Sequence, residues 1–530
     1  MTESLNRSLT AALIAACGLA APAAAQLRVC AWNISSYGGS DGREPSFKTA
    51  IYGTFQGRSL RPDIVVFQEI TSLAGANSIL AFLNDVSAGS PGDWAIAPYT
   101  QGPDTNMVFA YRTGATGKVT YLGKTLIAAG GNSTGAARDI WRYDVRLAGY
   151  ASAGATLAVY GDHFKAGSSS GSPTDDQERR LVEATAIRND ANTLPAGWQI
   201  IVCGDFNMQS SNEAAFVELT GSLANNRGRF VDPIKTAGTW NNSSAFRFVH
   251  TQAPGGVVST SGGMDDRFDF ILVGSELVNG DGFDYLGNPA VPYSTSTWND
   301  PNHSYRSWGN DGSSFNQNIN TASNAMVGAT IAAALKAAAD TDTYGGHLPV
   351  YLDLRVPPVP GSPLTIDFGQ VPQNSLAQRT LSVSNAGDVG RWTAAGIADL
   401  SYSLSASADV SAPAGPFVAA AGAAGNDHLI TVSTASVGPF SGSVTIYSNS
   451  PEQPGRTVNI IGTVVGALSC YANCDGSTTP PVLNVLDFAC FLNLYATGNT
   501  GANCDQSTTP PVLNVLDFAC FVNAYATGCT

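Results

Sequence analysis

The chain has 530 residues, of which 44% are hydrophobic and only 13% charged, with 56 glycines. That is too long for one hydrophobic core, suggests roughly three or four domains, and excludes a disordered or coiled-coil protein. A net charge of −14 excludes a broad cationic face for nucleic acid, though not a local basic groove or a metal-neutralised phosphate site.

Residues 1–25 read as an export signal. Arg7 supplies the positive region, Leu9 to Ala20 the short apolar core, and Ala23-Ala24-Ala25 a cleavage site before Gln26. Neither this core nor any later stretch is long enough to cross a bilayer as a helix, so a secreted or cell-surface protein is expected. Cysteine usage agrees. Of nine cysteines, Cys17 leaves with the signal and Cys30 and Cys203 lie in apolar strands. Cys470, Cys474, Cys490, Cys504, Cys520 and Cys529 crowd the last 61 residues, and spacing does not choose among their pairings.

Residues 27–355 alternate short apolar strands with Gly-rich loops. Strands are predicted at Leu27–Trp32, Ile64–Phe67, Met107–Tyr111, Thr156–Tyr160, Ile200–Cys203, Phe268–Val273 and Val350–Leu352. Helical patterns fall at Ser72 to Val86, Asp175 to Leu194 and Ala322 to Ala339. Mixed elements over this length predict a two-sheet α/β sandwich with its working loops at one end. Residues 356–363, rich in proline, read as a stiff linker. Residues 364–466 show period-two alternation, as in Arg379 to Ser384 and Ser441 to Tyr447, which predicts an antiparallel, immunoglobulin-like all-β sandwich.

Residues 467–530 are a direct repeat: Ala472 to Gly498 recurs at Ala502 to Gly528. Each copy carries an acidic loop and then an amphipathic helix, and two such units stack to bury faces neither buries alone. The tail reads either as a calcium-loop module or as a disulfide-stapled helical pair whose Asp and Asn cap helices.

Several polar residues sit at predicted strand ends. Gly204-Asp205-Phe206-Asn207 follows a buried strand, and an Asp and an Asn two positions apart would share one face. Asn33 ends the first strand of the mature chain and Glu69 the next, while His163 follows a strand and His347 precedes the last one. Asp269 stands inside an apolar strand, where a carboxylate is costly unless paired. Only five histidines occur in the chain, so two at strand-end loops of one domain is a signal. Lys165, Arg138 and Arg142 are weaker candidates for phosphate contacts.

Taken in order, these residues resemble the endonuclease/exonuclease/phosphatase superfamily, a DNase I-like four-layer α/β sandwich. The motifs that carry the likeness are Trp32-Asn33, Gln68-Glu69, His163 near Lys165, Gly204 to Asn207, Asp269-Phe270-Ile271-Leu272 and His347-Leu348-Pro349-Val350. The resemblance implies a phosphodiester hydrolase that uses in-line attack by water. Glu69, with Asn33 beside it, would bind magnesium or manganese, since the donors are hard oxygens. Asp205 and Asn207 would position the water and the phosphate. His347, held by Asp269, would act as base or phosphate-binding imidazolium, its pKa raised by the opposite charge. His163 would donate to the phosphate or protonate the leaving oxygen.

The family pattern has an Asp before the final His; here Gly346 stands there, with Asp342 as a substitute upstream. An extracellular nuclease is the first expectation. A sphingomyelin- or inositol-phosphate-directed esterase and a weakened surface-binding protein are the others. The β domain resembles choice-of-anchor or ASH-like surface modules, which implies scaffolding. The tail resembles dockerin-type loops, which implies calcium on Asn473, Asp475, Asn484 and Asp487, and on Asn503, Asp505, Asn514 and Asp517, with a cohesin-like docking partner. A Ser-Thr-Thr-Pro-Pro insert makes each loop longer than the standard one.

Overall fold

The computed structural model describes residues 26–255, 262–339, 344–466 and 470–528. The expected export signal, Asp342 and Cys529 lie outside the described residues.

In chain order the first strands are β1 (Leu27–Tyr37), β2 (Ile64–Ile70), β3 (Trp94–Ile96), β4 (Asn106–Arg112), β5 (Val119–Ala128), β6 (Ile140–Leu147), β7 (Thr156–His163) and β8 (Gln199–Asp205). They are followed by β9 (Phe230–Val231), β10 (Asp269–Gly274), β11 (Asp284–Tyr285), β12 (Arg306–Ser307) and β13 (Val350–Arg355). One sheet is ordered β11-β13-β1-β2-β4-β3, with β12 on β13, and the other β5-β6-β7-β8-β10-β9. Each holds one parallel pair, β1 with β2 and β7 with β8, flanked by antiparallel neighbours.

Strand periodicity explains the layers. On β1 and β2, Val29, Ala31 and Val66 face the inter-sheet core with Val159, Ile201 and Ile271. The alternate residues Cys30, Trp32, Val65 and Phe67 pack under helices α1 (Glu44–Tyr52) and α2 (Leu73–Leu83). Helices α3 (Asp176–Ala191) and α4 (Ala214–Thr220) cover the second sheet through Ile187, Phe216 and Leu219. Helix α5 (Gly328–Ala339) joins α1 over the first. The result is the expected four-layer sandwich. Trp32, Tyr37, Phe47, Phe67 and Phe82 form an aromatic cluster under α1 and α2, each side chain contributing about 2–3 kcal/mol by burial.

Beyond Val356 the chain forms a second pair of sheets. Its strands are β14 (Pro360–Gly361), β15 (Thr365–Pro372), β16 (Ala377–Asn385), β17 (Leu400–Ala406), β18 (Val410–Ser411), β19 (Phe417–Ala419), β20 (Asn426–Val432), β21 (Gly438–Ser448) and β22 (Gly455–Val465). The sheets run β14-β16-β20-β18 and β15-β22-β21-β17-β19 around Ile366, Phe368, Leu381, Ile430, Val444 and Ile460. Pairing is antiparallel except that β15 lies parallel to β22, a departure from the expected all-antiparallel sandwich.

The proline-rich segment is not a free spacer. Val356 is fully buried, pairs with Ile397 and shares a core with Trp392 of the short helix α6 (Val389–Trp392), and the Tyr150 hydroxyl donates to the Pro357 carbonyl. Proline favours extended backbone, and here the extended segment packs instead of standing clear.

In the tail, α7 (Val485–Ala496) and α8 (Val515–Thr527) stack Phe491 on Phe521 at 4.2 Å. Among the described residues its buried apolar core is Ala472, Phe491, Ala502 and Phe521, so disulfides, Cys474–Cys490 and Cys504–Cys520 among them, supply much of its stability. Asn484 with Asp487, and Asn514 with Asp517, form capping boxes, the helix-capping role open to them from sequence. Asn473 and Asn503 each keep a buried amide oxygen with no partner among the described residues.

Candidate active site

The site is built from register. His163 ends β7, Asp205 ends β8 and Asp269 opens β10, and the pairings His163 with Asp205 and Asp205 with Asp269 set the three side by side. Asn33 reaches them from the other sheet, on the same face of β1 as Val29 and Ala31. Its amide donates to Glu69 Oε1 at 2.9 Å and to Asp205 Oδ2 at 3.0 Å, tying the two sheets together.

Glu69 needs a further device. On a regular β2 it would point with Phe67 toward the helices. The ladder slips between Phe67 and Ile70, and Glu69 takes φ 65°, which turns the carboxylate into the cleft. Its Oε2 accepts from the Ser36 amide at 2.9 Å. Asn207 is not on one face of a strand with Asp205, as the spacing predicted, because β8 ends at Asp205. It reaches the cleft through a left-handed turn (φ 52°), held by its own N–H to Asp205 Oδ1 and its amide to the Phe164 carbonyl. Ser35 and Ser36 are also left-handed, at φ 53° and 51°. Four such non-glycine residues around one cleft store about 1–3 kcal/mol each, a pattern typical of functional sites.

His347 Nδ1 lies 2.7 Å from Asp269 Oδ2, the pairing the resemblance implied, and the Trp32 indole donates to the His347 carbonyl at 3.0 Å. Thr251, which sequence reasoning missed, donates its hydroxyl to the same Asp269 oxygen at 2.7 Å and accepts from the Asp269 amide. Gln252 was missed too; its amide sits 3.4 Å from His347 Nε2. Nothing in their local pattern marks either residue, since both act through a loop that meets His347 by tertiary pairing.

Burial and the nearby Asp269 push the Asp205 carboxyl up to about 6, against the lowering influence of His347. Burial drives His163 well below the usual imidazole range, aided by Arg138 and His347, so the ring is neutral at neutral pH. A neutral imidazole donates a hydrogen bond but is a poor proton donor. This favours the phosphate-binding role for His163 over the general-acid role. Asp162, buried below His163, has no partner for either oxygen among the described residues, and burial and Asp205 push it well above the carboxylate range.

Gly346 adopts φ 65°, and a Cβ there would stand 2.6 Å from the Ala339 Cβ, so this backbone has no room for the carboxylate of the family pattern. Lys165 is turned aside onto Asp176 at 2.7 Å, and Arg142 is engaged by Asp144 and Asp190. Arg138 does line the cleft, whose volume is about 790 Å³.

The residues present suit a divalent cation. Glu69, Asp205 and Asp269 bring three carboxyl groups together, Asp269 paired with His347, and Glu69 opens to the cleft. Asp205, Asp269 and His347 also bring ligand atoms within 4.8 Å of one another. The 2.7 Å bond between His347 and Asp269 uses Nδ1 and Oδ2, while His347 Nε2 stands 3.7 Å from Asp205 Oδ2, and Glu69 beside Asn33 offers a further carboxylate seat on the same cleft.

An α/β sandwich with a carboxylate-imidazole cleft across its sheet ends defines a class of hydrolases. The family model described as "Endonuclease/Exonuclease/phosphatase family" matches residues 30–307, more than half of the chain. The chain therefore belongs to the endonuclease/exonuclease/phosphatase family. No curated protein matches it. Among solved structures, Danio rerio TDP2 complexed with single strand DNA product is 14% identical, with 62% of this chain and 99% of that chain covered at a TM-score of 0.35. The human Nocturnin catalytic domain with bound sulfate anion is 12% identical, covering 62% and 93% at a TM-score of 0.33. A beta toxin from Staphylococcus aureus is 12% identical, covering 62% and 99% at a TM-score of 0.34.

Proposed function

We propose that this protein is a secreted, metal-dependent phosphodiester hydrolase, with nucleic acid as its first substrate class. The observation that carries the reading is the Asn33 amide, which joins Glu69 to Asp205 in a cleft that also holds the His347–Asp269 pair. A magnesium or manganese ion on Glu69 would supply charge stabilisation for the phosphoryl oxygens. Asp205, with a carboxyl poised near 6, would orient the attacking water and take its proton. Asn207 and His163 would hold the phosphate. His347, kept in one tautomer by Asp269, would stabilise the developing charge.

Export is supported by the disulfides of the tail, among them Cys474–Cys490 and Cys504–Cys520, which persist in an oxidising compartment. Residues 27–355 would be the catalytic unit, 364–466 an immunoglobulin-like scaffold of surface-module type, and 467–530 a dockerin-like pair of loops that binds calcium and docks to a cell-surface or cohesin-like partner. The unpartnered oxygens of Asn473 and Asn503 support calcium, because each faces the loop where its own amide meets the Ser477 or Ser507 carbonyl. A second substrate reading, a polyol or lipid phosphodiester, is favoured by one observation: Arg138 is the one arginine or lysine among the described residues lining the cleft. The test is hydrolysis of single-stranded DNA, RNA, sphingomyelin and bis(p-nitrophenyl) phosphate by the full chain, with magnesium or chelator. Absence of metal-dependent turnover on all four would sink the enzymatic reading in favour of a surface-binding protein.

A further inference from the structure

Apart from the contact of Gln252 with His347, one wall of the cleft has no part in the chemistry above. Asn241, Gln252 and Asp266 line it beside His347. The Asn241 amide donates to Asp266 Oδ1 at 2.8 Å, which fixes carboxylate and amide side by side. The backbone of Gln252 bridges both Asp266 and His347, so this wall is rigidly joined to the catalytic imidazole. Burial pushes the Asp266 carboxyl up to about 6, against the lowering influence of the Asn241 amide and of His347. A carboxylate has about four acceptor sites, so one bond from Asn241 leaves capacity for a ligand.

The charge of the wall decides which ligand. A strand running along the cleft would bring further phosphates against Asp266, Glu69 and Asp205, and among the described residues lining it Arg138 is the one arginine or lysine that would face them. Polyanion binding rests on several cationic contacts, and the chain as a whole carries −14. A carboxylate flanked by amides instead suits hydroxyl groups: the carboxylate accepts from two neighbouring O–H groups while the amides donate to their oxygens.

We propose that the Asn241–Gln252–Asp266 wall binds the vicinal hydroxyls of an uncharged sugar or cyclitol ring esterified to the scissile phosphate. This rests on the phosphodiesterase reading and names its substrate more closely: one phosphate at the metal end, one hydroxylated ring on the wall. Tyr344, 57% exposed, also lines the cleft.

The experiment compares matched phosphodiesters with the full chain and magnesium. One arm pairs a ribodinucleotide with its 2′-deoxy counterpart; the other pairs glycerophosphoinositol with glycerophosphoethanolamine. The arm that discriminates identifies the source of the ring. Expected is a kcat/KM ratio of roughly 10 to 100 in favour of the hydroxylated member of at least one pair, the scale of a lost charge-assisted hydrogen bond. Asp266→Asn and Asn241→Ala should bring that ratio to about one. Calorimetric binding of the same four compounds to His347→Ala gives the ratio without turnover, so a protein that hydrolyses nothing, bis(p-nitrophenyl) phosphate included, still tests the wall. Ratios near one in both arms, or a ratio that survives both wall substitutions, overturn the proposal.

Discussion

At the scale of single residues, the site depends on side chains whose neighbours hold them in otherwise unfavourable states. Asp269 is fully buried and bonded through one oxygen to both His347 and Thr251. Thr251→Val removes one of these bonds and is expected to lower kcat about tenfold with little change in KM. His347→Ala and Asp205→Ala are expected to lose roughly 100- to 10,000-fold in kcat, with circular dichroism unchanged. Asp162 provides a separate, thermodynamic prediction. Its folded carboxyl titrates well above the unfolded value of 3.8, so the folded state keeps a proton that the unfolded state releases. Its contribution is most favourable below that unfolded value. It is lost as pH rises, at up to about 1.4 kcal/mol per unit, until the folded group itself ionises. Asp162→Asn should therefore stabilise the protein at pH 7 and leave it unchanged near pH 4. Urea midpoints across that range provide the check, and identical slopes in both proteins would refute the assignment.

At the scale of elements, what could be read from sequence follows from where periodicity operates. The central strands were legible because a core lies on both of their sides, and helices α2, α3 and α5 because one face of each is buried against a sheet. The edge strand β5, most of whose residues are at least partly exposed, was not, and neither were its neighbour β6 nor the nine-residue helix α1. The site was legible in its membership, because Asn33, Glu69, His163, Asp205, Asp269 and His347 sit at or near strand ends. Its geometry was not: the slip that redirects Glu69 and the left-handed turn at Asn207 are backbone events without a spacing signature. Thr251 and Gln252 join only through tertiary pairing. Gly346 belongs to this scale too, because α5 packs against it. Gly346→Asp, which restores the family residue, is expected to destabilise the fold by about 1–3 kcal/mol and add no activity, since its Cβ would meet Ala339. Thermal unfolding and turnover of that variant test the point; a stable, more active protein would contradict it.

At the scale of the whole molecule, the second β unit is joined to the catalytic one as well as following it. Glu452 accepts from the amides of Ala151 and Ser152, and the Lys118 ammonium lies over the Trp392 ring at 4.7 Å. A cavity of about 490 Å³ near this junction, at the other end of β1 from Asn33, contains Arg28 and Arg112, whose guanidinium groups are saturated by Asp353, Asp63 and Asp93. These two arginines therefore act structurally. The tail is the least self-sufficient part, with a small apolar core among the described residues and disulfides that include Cys474–Cys490 and Cys504–Cys520. Calcium is expected to raise its unfolding temperature in the full chain, an effect lost in an Asp487→Ala, Asp517→Ala double variant. An unchanged transition with calcium would leave those residues as helix caps alone.

The central claim is that Glu69 seats a divalent ion required for phosphodiester hydrolysis. Its most direct test is the rate of bis(p-nitrophenyl) phosphate cleavage against magnesium concentration, for the full chain and for Glu69→Gln. Turnover that EDTA abolishes and magnesium restores, with Glu69→Gln needing at least about tenfold more metal or failing to respond, is the predicted result. Turnover indifferent to EDTA, or an identical magnesium dependence in Glu69→Gln, would contradict it.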